Sequence, residues 1–267
     1  MSKIEEAMQR LEAERALRGS SLPLDGKPWG GGLQETASTI ARMCEPRLRT
    51  HDELDHDRII CPGGRNPRAV NAFRQLRTSL LRHSENRNFV LLVSGVGRRA
   101  GASFAASNLA AAFALDETMT ALLIDCNLSR PDTSRLVLDA EEQEPAGLTD
   151  LLEGEVADMA HVIHPTGIPR LRVMPVGSRG RHVREFFTSK RLPVMFRELA
   201  SRYPDRYIIL DAPPIDESAD ARILANLSNM VLLVVPYGRV TAVQIESAVA
   251  AIPGDRYVGS IVNNEPA

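Results

Sequence analysis

From residue 68 onward the chain alternates short, mainly apolar runs with longer stretches of mixed polarity. The runs are Asn88-Phe-Val-Leu-Leu-Val-Ser94, Thr120-Ala-Leu-Leu-Ile-Asp125, Tyr207-Ile-Ile-Leu-Asp211, Met230-Val-Leu-Leu-Val-Val235 and Tyr257-Val-Gly-Ser-Ile-Val262. Each is too short for a stable helix, and each predicts a buried strand of a parallel sheet. Helices are predicted over 68–84, 103–115, 190–202, 218–227 and 241–252. This alternation predicts an α/β domain over 68–267 with a doubly wound, mostly parallel sheet. Ligands of such sheets bind outside the carboxyl ends of the strands.

The first 67 residues read differently. Residues 2–18 predict a helix with Ser2 as N-cap and Gly19 as its stop; Ile4, Met8 and Leu11 give it a narrow apolar stripe for its own domain or for a partner. Residues 19–67 hold 12 Gly or Pro among 49 and predict a flexible linker, with one short helix at 34–43. Within it, His51–Asp57 is acidic; a solvated loop explains it better than a metal site, because no other ligands stand at a usual spacing.

Composition narrows the function classes. A net charge of −2 gives no field drawing the chain to nucleic acid, and no nucleic-acid partner is expected. Cys44, Cys61 and Cys126 are too few and too scattered for a disulfide framework or a zinc site, which fits a reducing cytoplasm. The opening residues lack the apolar core of a secretory signal, and no run of 18 apolar residues predicts a membrane span.

Three strand ends carry candidate chemistry. The first is Ser94-Gly-Val-Gly-Arg-Arg-Ala-Gly-Ala-Ser103, between a strand and a helix. Gly95, Gly97, Arg98, Arg99, Ala100, Gly101, Ala102, Ser103 and Phe104 would surround a phosphate there, held by backbone N–H groups and the helix N-terminus. A full phosphate loop reads GxxxxGK[ST]. Here Gly101 and Ser103 stand at the last glycine and the hydroxyl, but Ala102 stands at the lysine and the first glycine is one residue out of place. A plain glycine turn would also explain the pattern. The other two ends are Asp125 and Asp211, each closing an apolar strand. A carboxylate there needs solvent, a hydrogen-bond partner or a cation. Two of them beside a phosphate loop point to Mg²⁺, with Ser103, Asp125 and Asp211 as metal residues; the alternative is that each caps the next helix.

These motifs resemble the bacterial tyrosine kinases of capsule and exopolysaccharide synthesis, within the deviant-Walker group of P-loop NTPases. Asp125-Cys-Asn127 with Arg130-Pro131 resembles their DxDxRxP motif, and Asp211-Ala-Pro213-Pro214 resembles their DxPP. Gly101-Ala-Ser-Phe-Ala-Ala-Ser-Asn108-Leu-Ala is similar to GKTFTAINLA, the form typical of the exosortase-associated branch. Gly147-Leu-Thr-Asp-Leu-Leu152, Met174-Pro-Val-Gly177, Ser201-Arg-Tyr-Pro-Asp-Arg206 and the opening MSKIEEAMQRL fit that branch as well. The resemblance covers about 68–264 plus the first 18 residues. It implies ATP or ADP with Mg²⁺ as cofactor, Asp125 and Asp211 as catalytic residues, and Asn263 against the nucleotide base. It also implies a cytoplasmic protein, peripheral at the inner face of the plasma membrane, partnering a membrane-embedded polysaccharide chain-length or co-polymerase protein. Homo-oligomers would form through Arg74 and Arg77.

The sequence departs from the family in ways that predict a regulatory pseudokinase. Ala102 removes the phosphate-gripping lysine, and Asn127 replaces a second carboxylate. The ExxRxxR contact helix becomes Asn71-Ala-Phe-Arg74-Gln-Leu-Arg77, without the glutamate. Tyr203, Tyr207, Tyr237 and Tyr257 form no tyrosine-rich tail before Ala267. An active atypical kinase using Arg98 and Arg99 is one alternative, and a partition-type positioning ATPase is another. A basic cluster at Arg179, Arg181, His182, Arg184, Lys190 and Arg191 is either a solvated face or a contact for an anionic partner or the membrane surface.

Overall fold

The computed structural model describes Met43 and residues 45–85, 87–138, 145–178, 186–189, 191–202 and 206–263. The expected helix at 2–18, the linker up to residue 42, Tyr203 and all of the basic cluster but Arg191 lie outside these residues. So does the expected 34–43 helix, apart from Met43.

Seven strands form one sheet: β1 (Val90–Gly95), β2 (Thr120–Asp125), β3 (His164–Pro165), β4 (Leu171–Met174), β5 (Arg206–Asp211), β6 (Met230–Pro236) and β7 (Tyr257–Asn263). Their spatial order is β3-β4-β2-β5-β1-β6-β7. Every pairing is parallel except β3 with β4. The helices are α1 (His51–His56), α2 (Pro67–His83), α3 (Ala102–Ala114), α4 (Leu148–Glu153), α5 (Arg191–Arg202), α6 (Ala219–Leu227) and α7 (Ala242–Ala250). The five expected strands form within two residues of their predicted ends.

The two-sided burial follows from strand periodicity. In β1, Val90 and Leu92 face a core made with α4, α5, α6 and α7, while Leu91 and Val93 face one made with α2 and α3. The centre of the second core is α3, where every residue from Ala105 to Ala114 is buried. Its alanines let the helix lie close on the sheet, and Phe113 fills the remaining space against Phe89 and Tyr207, with ring centroids 5.6 and 4.5 Å away. Tyr207 sits deep enough that burial pushes its phenol up to about 12.

The linker expected over 19–67 is corrected over residues 45–66, which pack on the domain. Thr50 and Glu53 form a reciprocal capping box that starts α1 where an acidic loop was expected. Leu54, Ile59, Ile60 and Cys61 join the core beside α3. Arg49 pairs with Asp57 and donates to the carbonyls of Thr166 and Arg135 at 2.8 and 2.9 Å. Buried Asn108 of α3 completes the clasp: its Oδ1 accepts from the Ile60 N–H at 2.7 Å, and its Nδ2 donates to the carbonyls of Arg58 and Phe104. Asn108→Ala would strand the buried Ile60 N–H. The expected loss is about 2–3 kcal/mol in urea unfolding, with faster amide exchange at 58–61. Unchanged exchange there would show that the clasp does not depend on Asn108.

Besides α1, three more elements are absent from the sequence-based expectation: β3, β4 and α4. Two motifs singled out for their family likeness meet here. The N–H groups of Leu148 and Thr149 donate to the carbonyls of Pro175 and Val176, and Asp150 accepts from Gly147 N–H at 2.7 Å and from Ser178. A Cβ on Gly147 would lie 2.1 Å from the Pro175 carbonyl oxygen, so only glycine allows this approach. These motifs hold α4 to the end of β4.

Candidate functional site

The strand order places β2, β5 and β1 side by side, so their carboxyl ends form one rim. Asp125 and Asp211 are direct register partners across β2 and β5, and Val93, just before the loop, pairs with Asp211 on the other side. The three sequence signals therefore converge. Above them opens a cleft of about 1180 Å³, lined by the loop Gly97–Phe104, by Asn127–Asp132 and by Ala212–Pro214 with Glu217–Asp220.

The loop is shaped for an anion along its trailing half. Gly101 adopts a left-handed conformation, φ +92°, and α3 starts at Ala102 with no side-chain cap. The first-turn N–H groups of a helix have no intrahelical acceptor, and they carry the positive end of its dipole. Asn263, at the end of β7, donates from Nδ2 to the Ala100 carbonyl at 2.9 Å. A Cβ on Gly101 would stand 2.1 Å from that same nitrogen. Asn263 thus buttresses the loop from behind, and it also lines a second cleft beside Gly101 and Phe104.

The leading half is occupied. The Gly97 N–H donates to Asp216 Oδ1 at 3.0 Å, and Arg98 Nε donates to Glu217 Oε2 at 2.7 Å. Neither acidic residue was singled out from the sequence. They follow the DxPP-like motif by two and three positions, and only the folded turn brings them to the loop. Arg99 stands in the left-handed region at φ +59°, a strained conformation for a side-chain-bearing residue, and it extends into solvent. Ala102 lines the cleft where a lysine would stand. The sequence has only Lys3, Lys27 and Lys190, all outside the described residues.

The two aspartates differ sharply. Asp125 is fully buried and saturated: Oδ1 accepts from Asn127 N–H at 2.9 Å, and Oδ2 accepts from the N–H groups of Asp132 and Thr133 and from Thr133 Oγ1. It fixes the Asn127–Thr133 wall of the cleft. Burial raises its carboxyl above the ordinary value, against those donors. Asp211 is equally buried, yet neither carboxylate oxygen has a hydrogen-bond partner. Burial first, and Asp125 second, push its carboxyl well above the ordinary range. The nearby Ser103 hydroxyl pulls the other way without reaching hydrogen-bond geometry. A buried pair of acceptors without donors suits a cation. Among the described residues no three His, Cys, Asp or Glu side chains cluster as a metal set. Mg²⁺ needs no such set, since it binds through one or two carboxylates, waters and phosphate oxygens.

Arg77, expected at an oligomer contact, donates from Nη1 to the Ala112 carbonyl at 2.8 Å and caps the carboxyl end of α3. Arg74 remains exposed. Arg191, the one described member of the basic cluster, donates to the Leu152 carbonyl at 3.0 Å.

No protein-family model matches the chain. The tyrosine-protein kinase CpsD of Streptococcus agalactiae is 30% identical over 196 residues, covering 72% of this chain and 80% of that protein. The tyrosine-protein kinase wzc of Salmonella typhimurium is 29% identical over 209 residues, which is 77% of this chain but only 28% of wzc. Among solved structures, the BceF tyrosine kinase domain is 25% identical with a TM-score of 0.67, covering 97% of this chain and 98% of that one. The septum site-determining protein MinD of Pyrococcus horikoshii, solved with Mg-ADP, is 21% identical with a TM-score of 0.52 over 65% of this chain and 68% of its own, a likeness of fold.

Proposed function

Because the chain belongs to the family of bacterial tyrosine-protein kinases, we propose that it is a regulatory pseudokinase of capsule or exopolysaccharide synthesis, one that binds a nucleotide and transfers phosphate weakly or not at all. The observation that carries this is the state of the phosphate loop: Ala102 faces the cleft where the family carries its lysine, and neighbouring Arg98 is already paired with Glu217. Phosphoryl transfer depends on positive charge placed where the transferred group becomes electron-rich, and loss of one such contact costs about a hundredfold or more in rate.

The residues for holding a nucleotide remain. The trailing amides of the loop and the N-terminus of α3 would take the phosphates, and Asn263, which holds the Ala100 carbonyl, would contact the base from the neighbouring cleft. Ser103 and Asp211 suit Mg²⁺, which when bound would neutralise phosphate oxygens. Asp125 holds the cleft wall and adds negative charge below Asp211.

Membership of the exosortase-associated branch is part of this reading, supported by the motifs that join α4 to β4. So is a place at the inner face of the plasma membrane, docked on a membrane-embedded chain-length protein. Among the described residues no helix is long and apolar enough to cross a membrane, so the membrane would be reached through that partner. An active kinase is the second reading, favoured by one observation: Arg99 projects from the loop with its side chain exposed.

Purified protein with Mg²⁺ and ATP separates these readings. Ligand at a hundred times its Kd adds about 2.7 kcal/mol, so the pseudokinase should melt several degrees higher with ATP and yield no phosphotyrosine by mass spectrometry. Phosphotyrosine that disappears in Arg99→Ala would establish the active kinase instead. A melting curve untouched by ATP or ADP would remove the nucleotide from the proposal.

A further inference from the structure

The turn Pro214–Ser218 presses two carboxylates onto a loop built for anions. Its placement is not loose. The Ile215 N–H donates to the Gly95 carbonyl at 3.3 Å, and the N–H groups of Glu217 and Ser218 close the turn on the Pro214 carbonyl. Arg222, one turn into α6, donates to the carbonyls of Ile215 and Asp216 at 3.2 and 3.1 Å. So anchored, Asp216 takes the Gly97 N–H and Glu217 takes Arg98. Both are donors that a phosphate chain would otherwise claim, and a carboxylate oxygen offers them the same charge-assisted bond. Asp220, half-buried, joins Glu217 on the wall of the cleft.

We infer that Asp216 and Glu217 are specificity-determining residues that make this cleft prefer a nucleoside diphosphate to the triphosphate. The argument rests on the nucleotide reading above. Donors at the trailing end, around Gly101–Ser103, are free to hold phosphate. At the leading end the Gly97 N–H and the Arg98 Nε are taken by Asp216 and Glu217, and the lysine that would reach the outer phosphates is absent. Each further phosphate must displace a carboxylate or lie against it, and like charges at contact distance repel. The pair thereby keeps the loop selective for the shorter, less charged chain.

Titration calorimetry with ADP and with ATP, each with Mg²⁺, tests this on the full chain. The wild type should bind ADP at least about tenfold more tightly than ATP, the effect of roughly one close like-charge contact near a protein surface. Asp216→Asn with Glu217→Gln should raise ATP affinity by a similar factor and leave ADP affinity little changed. Both side chains reach solvent, so the variant should melt close to wild type. Glu217→Gln alone, which keeps the Asp216 contact, should give an intermediate ratio. Wild-type protein that binds ATP as tightly as ADP would overturn the inference and leave the nucleotide reading standing. Equal changes in both affinities in the double variant would overturn it too, by showing that Asp216 merely shapes the loop. Binding of neither nucleotide to either protein would remove the nucleotide reading itself, and the inference with it.

Discussion

Lowering the pH towards the ordinary carboxylate range should stabilise the metal-free protein, and Asp211→Asn should reduce that dependence. Asp211 is wholly buried with both carboxylate oxygens unpartnered, and burial and Asp125 raise its folded value well above the ordinary one. In the unfolded chain it returns to about 3.9. Between that value and the raised folded value, the native state holds a proton that the unfolded state has released. Stability therefore falls as pH rises through this window, by about 1.4 kcal/mol per pH unit for one proton. Asp125 and Asp220, also raised, act in the same direction, so some slope should survive in the variant. Asp116 and Glu53 are lowered and act below the window, whereas Cys126 and Tyr207 are raised and act above neutrality. Urea unfolding at several pH values reads the slope. A flat wild-type profile would mean that Asp211 has donors in solution. Millimolar Mg²⁺ should restore stability at pH 8 in the wild type and not in Asp211→Asn.

Ala102→Lys should raise ATP affinity by about tenfold to a hundredfold, the range for a hydrogen bond made by a charged donor. Ala102 is the first residue of α3 and lines the cleft, so a lysine there would extend into open space without disturbing the core. Fluorescent-nucleotide competition measures the gain. Unchanged affinity would mean that the loop, despite its free amides, does not seat phosphate. Because the new ammonium could instead be drawn to Glu217, the gain should be larger on a Glu217→Gln background.

The central strands and most helices could be read from the sequence because their signals are local. Val90–Gly95 and Met230–Pro236 are apolar runs with nothing to contradict them. By contrast β4 has four residues, one of them Arg172, and it exists because it pairs with β2 and because Glu45 neutralises that arginine. The segment at 45–66 looked like a linker because its composition is rich in Gly, Pro and charge, while its order comes from Arg49 and Asn108, whose partners are far away in the chain. The convergence of loop, Asp125 and Asp211 was legible because strand ends in a doubly wound sheet meet at one rim. The unequal standing of the two aspartates was not, since four donors to one and none to the other depend on how Asn127–Thr133 folds back. Asp216 and Glu217 carried no signal beyond their charge.

The strand order also has a cost during synthesis. β1 is an interior strand, and both of its neighbours, β5 and β6, are made more than a hundred residues after it. At about 5–20 residues per second, Val90–Gly95 leaves the ribosome on the order of ten seconds before either partner is complete. Throughout that interval a mainly apolar segment has both edges open to other nascent chains. Producing this protein in soluble form should therefore depend on translation speed and on chaperone supply more than its native stability alone would suggest.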